Sequence, residues 1–222
     1  ENVYALVESS DEKQILGNLF NKTITGTEAK IAVDSSGCPA TFEIADLRFE
    51  RIVGRNVLQK HADKSGFLET LKPWISADGF FIFGETVPAL GQRLSDLIPE
   101  KLLEPDFRKK LKTAEKEIYL DEENVRSSWT PSTLHYELES ANWNILRWQV
   151  KEYSIPTMIR IEQIEQWLPS QPDCPNSSYG QRLSAYFSPE QLNYLRETFR
   201  NEVAGTVVDW HSVSLFMQLN QK

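Results

Sequence analysis

The chain has 222 residues, 40% hydrophobic and 25% charged, which suits one globular domain of generous size or one domain with a cap. Its net charge of −8 argues against broad, non-specific nucleic-acid binding by this chain alone, and no apolar run approaches the ~18 residues that span a bilayer. Cys38 and Cys174 lie far apart, with no second cysteine or histidine at metal-ligand spacing. Free thiols in a reducing, cytoplasmic compartment are therefore expected, with no metal and no membrane partner.

The first element is a short apolar run, Val3-Tyr4-Ala5-Leu6-Val7, ending at Glu8. Ser9 or Ser10 can cap a following helix whose apolar face is Ile15, Leu16, Leu19 and Phe20. Lys30-Ile31-Ala32-Val33 reads as the next strand, ending at Asp34. Arg51-Ile52-Val53 is another, stopping at Gly54-Arg55-Asn56. A helix pattern follows, with Phe67, Leu68, Leu71 and Trp74 on one face. A turn at Asp78-Gly79 leads into a buried strand, Phe80-Phe81-Ile82-Phe83. Strand, helix, strand at this spacing predicts a βαβ unit with both strands buried and parallel.

Beyond Glu85 the pattern turns helical over 88–120, broken by Pro99 and Pro105. A helix starts at Thr130 with Pro131 in its first position. Residues 143–153 read as a strand and 160–168 as a helix, and 169–175 as a proline-rich loop. Ser188-Pro189-Glu190-Gln191 opens a helix to about Val203, and 207–219 is the last strand, with Val213, Leu215, Met217 and Leu219 on one face. Gly-Gln-Arg-Leu occurs at 91–94 and at 180–183. A chance tetrapeptide is the plainer reading of the repeat. The sharper reading is that both copies begin helices whose N-termini, with Arg93 and Arg182, face an anion such as a substrate group.

This order of elements resembles the second part of a class I S-adenosylmethionine-dependent methyltransferase. That resemblance implies a Rossmann-like α/β sheet of order 3-2-1-4-5-7-6. Residues 3–8 correspond to its second strand, 30–34 to the third, 51–54 to the fourth and 79–85 to the fifth. Residues 143–153 and 207–219 correspond to the sixth and seventh. The first strand, which carries the glycine-rich cofactor loop, is missing from the chain or lies upstream of Glu1. A chain that starts at Glu1 is then expected to be a fragment of a longer protein. Residues 1–222 form one methyltransferase-like domain, with core 1–87, 121–159 and 186–222. The helical insertions 88–120 and 160–185 form a cap over the carboxyl edge of the sheet. Further stretches, 52–58, 85–88, 91–94 and 178–183, resemble the C-terminal extension of the replication-associated recombination AAA+ ATPase of photosynthetic bacteria. That likeness implies an attached ATPase module, replication or recombination proteins as partners, and DNA only as an indirect one.

The resemblance implies cofactor contacts at Glu8, Asp34, Gly54 and Asn56. Glu8 stands where an acid accepts hydrogen bonds from a ribose diol, and equally where an acid stabilises a helix start. Asp34 stands near the adenine position, or simply forms a turn before Ser-Ser-Gly. Gly54 permits a tight exit from its strand, and Asn56 can bond substrate or the methionine part of the cofactor. Arg55, His61, Arg93 and Arg182 are the candidate substrate contacts. No catalytic residue is identified. His61, His135 and His211 read first as structural. Five tryptophans fall in apolar patterns, while Trp129 lies in a polar loop. Two functions remain open: an active methyltransferase, or a methyltransferase-like module that binds partners or regulates an ATPase. S-adenosylmethionine is the cofactor in question, and residues 1–222 are not expected to bind it alone.

Overall fold

The computed structural model describes residues 2–7, 10–15, 28–33, 48–121, 123–169 and 178–221. It is an α/β fold. The strands are β1 (Asn2–Val7), β2 (Glu28–Val33), β3 (Phe49–Arg55), β4 (Ile75–Thr86), β5 (Trp143–Met158) and β6 (Val207–Gln221). The labelled helices are α1 (Lys64–Leu71), α2 (Pro105–Leu120), α3 (Pro131–Ser140), α4 (Ile161–Trp167), α5 (Tyr179–Leu183) and α6 (Pro189–Glu202). Strands β1 and β2 pair in parallel, with Asn2 opposite Glu28 and Val7 opposite Val33, as a two-stranded sheet. The other four form one sheet in the order β3-β4-β6-β5.

The chain divides into two compact units, and the division crosses β4, β5 and β6. The first holds Glu1–Phe83, Glu137–Arg147 and Met217–Lys222. Here Asp63 caps α1 by accepting a 2.7 Å bond from the Gly66 amide, which turns Leu68 and Leu71 inward. Phe81 is fully buried and meets Trp143 edge to face at 5.4 Å.

The second unit holds Gly84–Tyr136 and Trp148–Phe216. Its core gathers Leu94 and Ile98, Leu111 of α2, Ile164 of α4, and Leu195 and Phe199 of α6. Both insertions read from the sequence therefore share one core with α6. Ser178 and Ser188 start α5 and α6 through reciprocal capping boxes with Gln181 and Gln191. Pro131 begins α3, with the Thr130 hydroxyl accepting from the Thr133 amide at 3.2 Å.

Several expectations need correction. Residues 88–104 form three short 3-10 turns, at Pro88–Leu90, Leu94–Leu97 and Glu100–Leu102, and a regular α-helix begins only at Pro105. Pro88 starts the first of these turns and Pro99 precedes the third, and neither has an amide to donate. No turn interrupts the chain at Asp78-Gly79, because β4 runs through it from Ile75. Strand β5 continues to Met158. Val53, expected in the core, is 71% exposed, because β3 is an edge strand of its sheet. Trp129 lies in a loop as read, yet its side chain is buried, just after turns in which the Asn124 carbonyl accepts from the Ser127 and Ser128 amides. Ile15 is exposed, while Leu16, Leu19 and Phe20 lie outside the described residues.

Candidate functional site

The sequence candidates fall in two places. In the first unit, Gly54, Arg55, Asn56 and His61 cluster where β3 ends. Gly54 is needed for a close approach: a β-carbon there would stand 2.6 Å from Cδ1 and Cε1 of Phe83 and 3.1 Å from Cγ2 of Val57. The tight exit is made two residues later. Asn56 takes the left-handed conformation at φ 54°, which asparagine tolerates better than most residues. The reversal directs the chain into the short turn Leu58–Lys60 and then to His61. Arg55 is exposed.

His61 is half-buried and stacks on Phe67, with ring centroids 3.8 Å apart and an interplanar angle of 11°. The buried Lys64 donates to the His61 carbonyl at 3.1 Å. Burial lowers the His61 pKa below its ordinary value, and the charges of Lys60 and Lys64 lower it further. The imidazole is therefore neutral near pH 7, the form that can accept a proton.

In the second unit the two arginines of the repeated tetrapeptide act on one side chain, Tyr119 of α2. The Arg93 guanidinium lies over its ring at 3.9 Å, and Arg182 contributes a favourable charge to the phenolate. Burial nevertheless dominates and raises the Tyr119 pKa. Arg93 does not open a regular helix. Its Nη1 donates to the carbonyls of Pro88 and Gly91, each at 3.1 Å, and its Nη2 to that of Ala89 at 2.6 Å. The Pro88 carbonyl also accepts from the Gly91 amide and so closes the 3-10 turn at Pro88–Leu90, and the Arg93 side chain braces that turn and its exit. Arg182 lies half-buried within the five-residue helix α5.

Sequence reasoning missed Glu115. This carboxylate is 1% exposed and accepts from the Ser95 amide at 3.0 Å, from the Ser95 hydroxyl and from the Tyr179 hydroxyl at 2.8 Å. Burial, followed by the charge of Glu115, pushes the Tyr179 phenol well above its ordinary pKa. A pocket of about 400 Å³ opens beside this network, lined by Arg93, Asp96, Glu115, Lys116 and Tyr119. Lys112, also at its rim, pairs with Asp96 at 3.4 Å.

His135 meets Trp148 edge to face at 4.9 Å, and the His211 backbone exchanges two bonds with Gln92, at 3.0 and 3.2 Å. Glu8 and Asp34 lie outside the described residues. Among those described, no group of histidines, cysteines and acids is arranged to hold a metal ion, and no helix is long and apolar enough to cross a membrane.

No family model and no curated protein matches the chain. Solved structures do. A putative methyltransferase from Bacillus halodurans superposes with a TM-score of 0.50 at 14% identity, over 99% of this chain and 82% of that one. The fold is that of a methyltransferase. Two further structures are more distant. A mycolic acid cyclopropane synthase complexed with S-adenosylhomocysteine gives 0.46 at 14% identity, over 99% of this chain and 70% of its own. An S-adenosylmethionine-dependent methyltransferase from Geobacter sulfurreducens, bound to S-adenosylhomocysteine, gives 0.41 at 12% identity, over 100% and 84%. At 14% identity it is the fold alone that is shared with the Bacillus halodurans structure, and fold does not fix function.

Proposed function

We propose that the chain is a methyltransferase-like module of a larger cytoplasmic protein, serving to bind partners or regulate rather than to transfer methyl groups. The observation that carries the reading is its strand arrangement. The orders β1-β2 and β3-β4-β6-β5 support a sheet of order 3-2-1-4-5-7-6 that lacks its first strand. The loop after that first strand holds the methionine end of the cofactor in proteins of this fold. Peripheral contacts at Glu8, Asp34 and Asn56 would not offset the entropy of fixing the cofactor. The resemblance of 52–58 and 178–183 to the recombination ATPase extension supports an attached AAA+ module, replication or recombination proteins as partners, and contact with DNA only through them.

The neutral His61 beside Asn56, at the end of β3, favours a second reading, an active methyltransferase with His61 as base. Calorimetric titration of residues 1–222 with S-adenosylhomocysteine separates the two. The binding-module reading expects no heat of binding at 100 micromolar ligand, a concentration at which about 1 micromolar affinity would saturate the site. Micromolar affinity would move the active reading ahead.

A further inference from the structure

Helix α2 carries its cations in an order that a merely solvated face would avoid. Arg108, Lys112 and Lys116 stand at i, i+4 and i+8, and Lys109 lies beside them, so four cations share one stripe. At about 100° per residue, Asp106 and Glu117 fall on the next flank beside Lys110, and Glu115 is buried. Like charges four residues apart destabilise a helix, whereas glutamate alternating with lysine at that spacing supports it. Acids outside the helix offset little. Lys112 pairs with Asp96 at 3.4 Å and Arg108 with Glu100 at 3.6 Å, where the Glu100 side chain is 87% exposed. Lys109 and Lys116 have no acidic partner among the described residues.

The row borders a concave surface. A groove of about 730 Å³ runs along it, lined by Leu103, Pro105 and all four cations. The pocket beside Tyr119 shares Lys112 and Lys116 with that groove and adds Leu120, whose side chain is exposed. From Arg108 to Leu120 the row covers about 18 Å at 1.5 Å per residue, the length of about five or six residues of extended chain. It is basic along its length and ends on an uncovered apolar side chain.

We propose that this row is a docking groove for a short acidic segment of a partner protein. The segment lies extended along α2, with its carboxylates on Arg108, Lys109, Lys112 and Lys116 and an apolar side chain against Leu120. Binding brings the opposite charges that the helix itself does not place beside its cations. Charge also favours this occupant over a nucleic acid. The whole chain carries −8, which repels a long polyanion, while a segment of a few carboxylates meets the row alone. Nor does the row include an aromatic ring on which a base could stack. The inference rests on the partner-binding reading above and gives that partner's chemistry.

Fluorescence anisotropy of residues 1–222 tests the groove with three labelled probes. These are the peptide Leu-Asp-Glu-Asp-Glu-Leu, its amide counterpart Leu-Asn-Gln-Asn-Gln-Leu and a single-stranded oligonucleotide. The acidic peptide should bind in the micromolar range, at least about tenfold tighter than either other probe, and more weakly as salt rises. Lys109→Glu combined with Lys116→Glu should weaken it at least about tenfold. Both side chains are exposed and the changes remove like-charge neighbours, so this variant should melt no lower than the parent. Absent binding of the acidic peptide, or binding that the double variant keeps, overturns the proposal, because the row is then a solvated face. An oligonucleotide or an amide peptide that binds as tightly as the acidic one overturns it too. S-adenosylhomocysteine titration keeps the two readings apart. Cofactor binding with a working groove sinks the binding-module reading alone, and an empty groove without cofactor binding sinks only this one.

Discussion

Gly54→Ala tests whether β3 packs where the structure puts it. The new methyl would stand 2.6 Å from two carbons of the Phe83 ring, well inside contact distance. Phe83 is 1% exposed and stacks in parallel with Phe81 at 6.3 Å, so the ring has little room to retreat. Overpacking of this kind costs about 1–3 kcal/mol. Replacing glycine also restricts the unfolded chain, which offsets about 0.5 kcal/mol. A net loss of about 1.5 kcal/mol lowers Tm by about 3–6 °C in a chain of this size. Thermal unfolding followed by circular dichroism reads that shift. Phe83→Leu removes the ring atoms involved, so combining it with Gly54→Ala should recover most of the loss. A coupling of about 1 kcal/mol between the two positions is expected, against the 0.5 kcal/mol or less of independent sites. A Gly54→Ala protein that melts within 1 °C of the parent, or additive behaviour of the pair, would refute the close approach of β3 to Phe83.

Two titrations follow from the same structure. Tyr179 has a raised pKa, so its contribution to stability is fully present below pH 10 and is lost as pH climbs above that value, where the unfolded chain ionises first. Urea unfolding should therefore weaken from pH 10 upward in the parent, and Tyr179→Phe should flatten that decline while removing one of the three donors to Glu115. His61 has a lowered pKa, so its contribution is present above pH 6.5 and is lost as pH falls through the folded value. The imidazole resonance of His61 should titrate below pH 6.5 by NMR, and a midpoint above 6.5 would contradict its burial beside two lysines.

What was legible in the sequence was local chemistry. Ser188 with Pro189 and Gln191 specifies a helix start within four residues, and the structure has the cap and both reciprocal bonds. The alternation of Val213, Leu215, Met217 and Leu219 likewise marks one face of β6, and all four are buried. The neighbour relation of β3 and β4 was legible because a helix of adequate length separates two apolar runs. Val53 was misread for a complementary reason. An apolar residue in a strand shows that burial is favourable there, not that a neighbour is present to provide it. Burial depends on what stands beside the strand, and β3 is an edge.

The charged residues were harder to read because a charge states a need without naming its partner. Glu115 sits in a helix rich in lysine and glutamate, where a solvated face is the ordinary expectation. The available signal was spacing: Leu111, Ala114, Glu115 and Ile118 make one stripe along α2, and all four are buried. A carboxylate inside an apolar stripe must find donors, and those donors are supplied by Ser95 and Tyr179, 20 and 64 residues away. Arg93 shows the same limitation from the other side. Its guanidinium was read as facing an anion, yet backbone carbonyls of a 3-10 turn are also acceptors and occur in every sequence without leaving a mark. The donors of Arg93 settle on carbonyls in and just after the turn at Pro88–Leu90, a segment that does not form a regular helix. The pocket beside Tyr119 is thus lined by a side chain that braces the backbone of residues 88–91 while its guanidinium covers the Tyr119 ring.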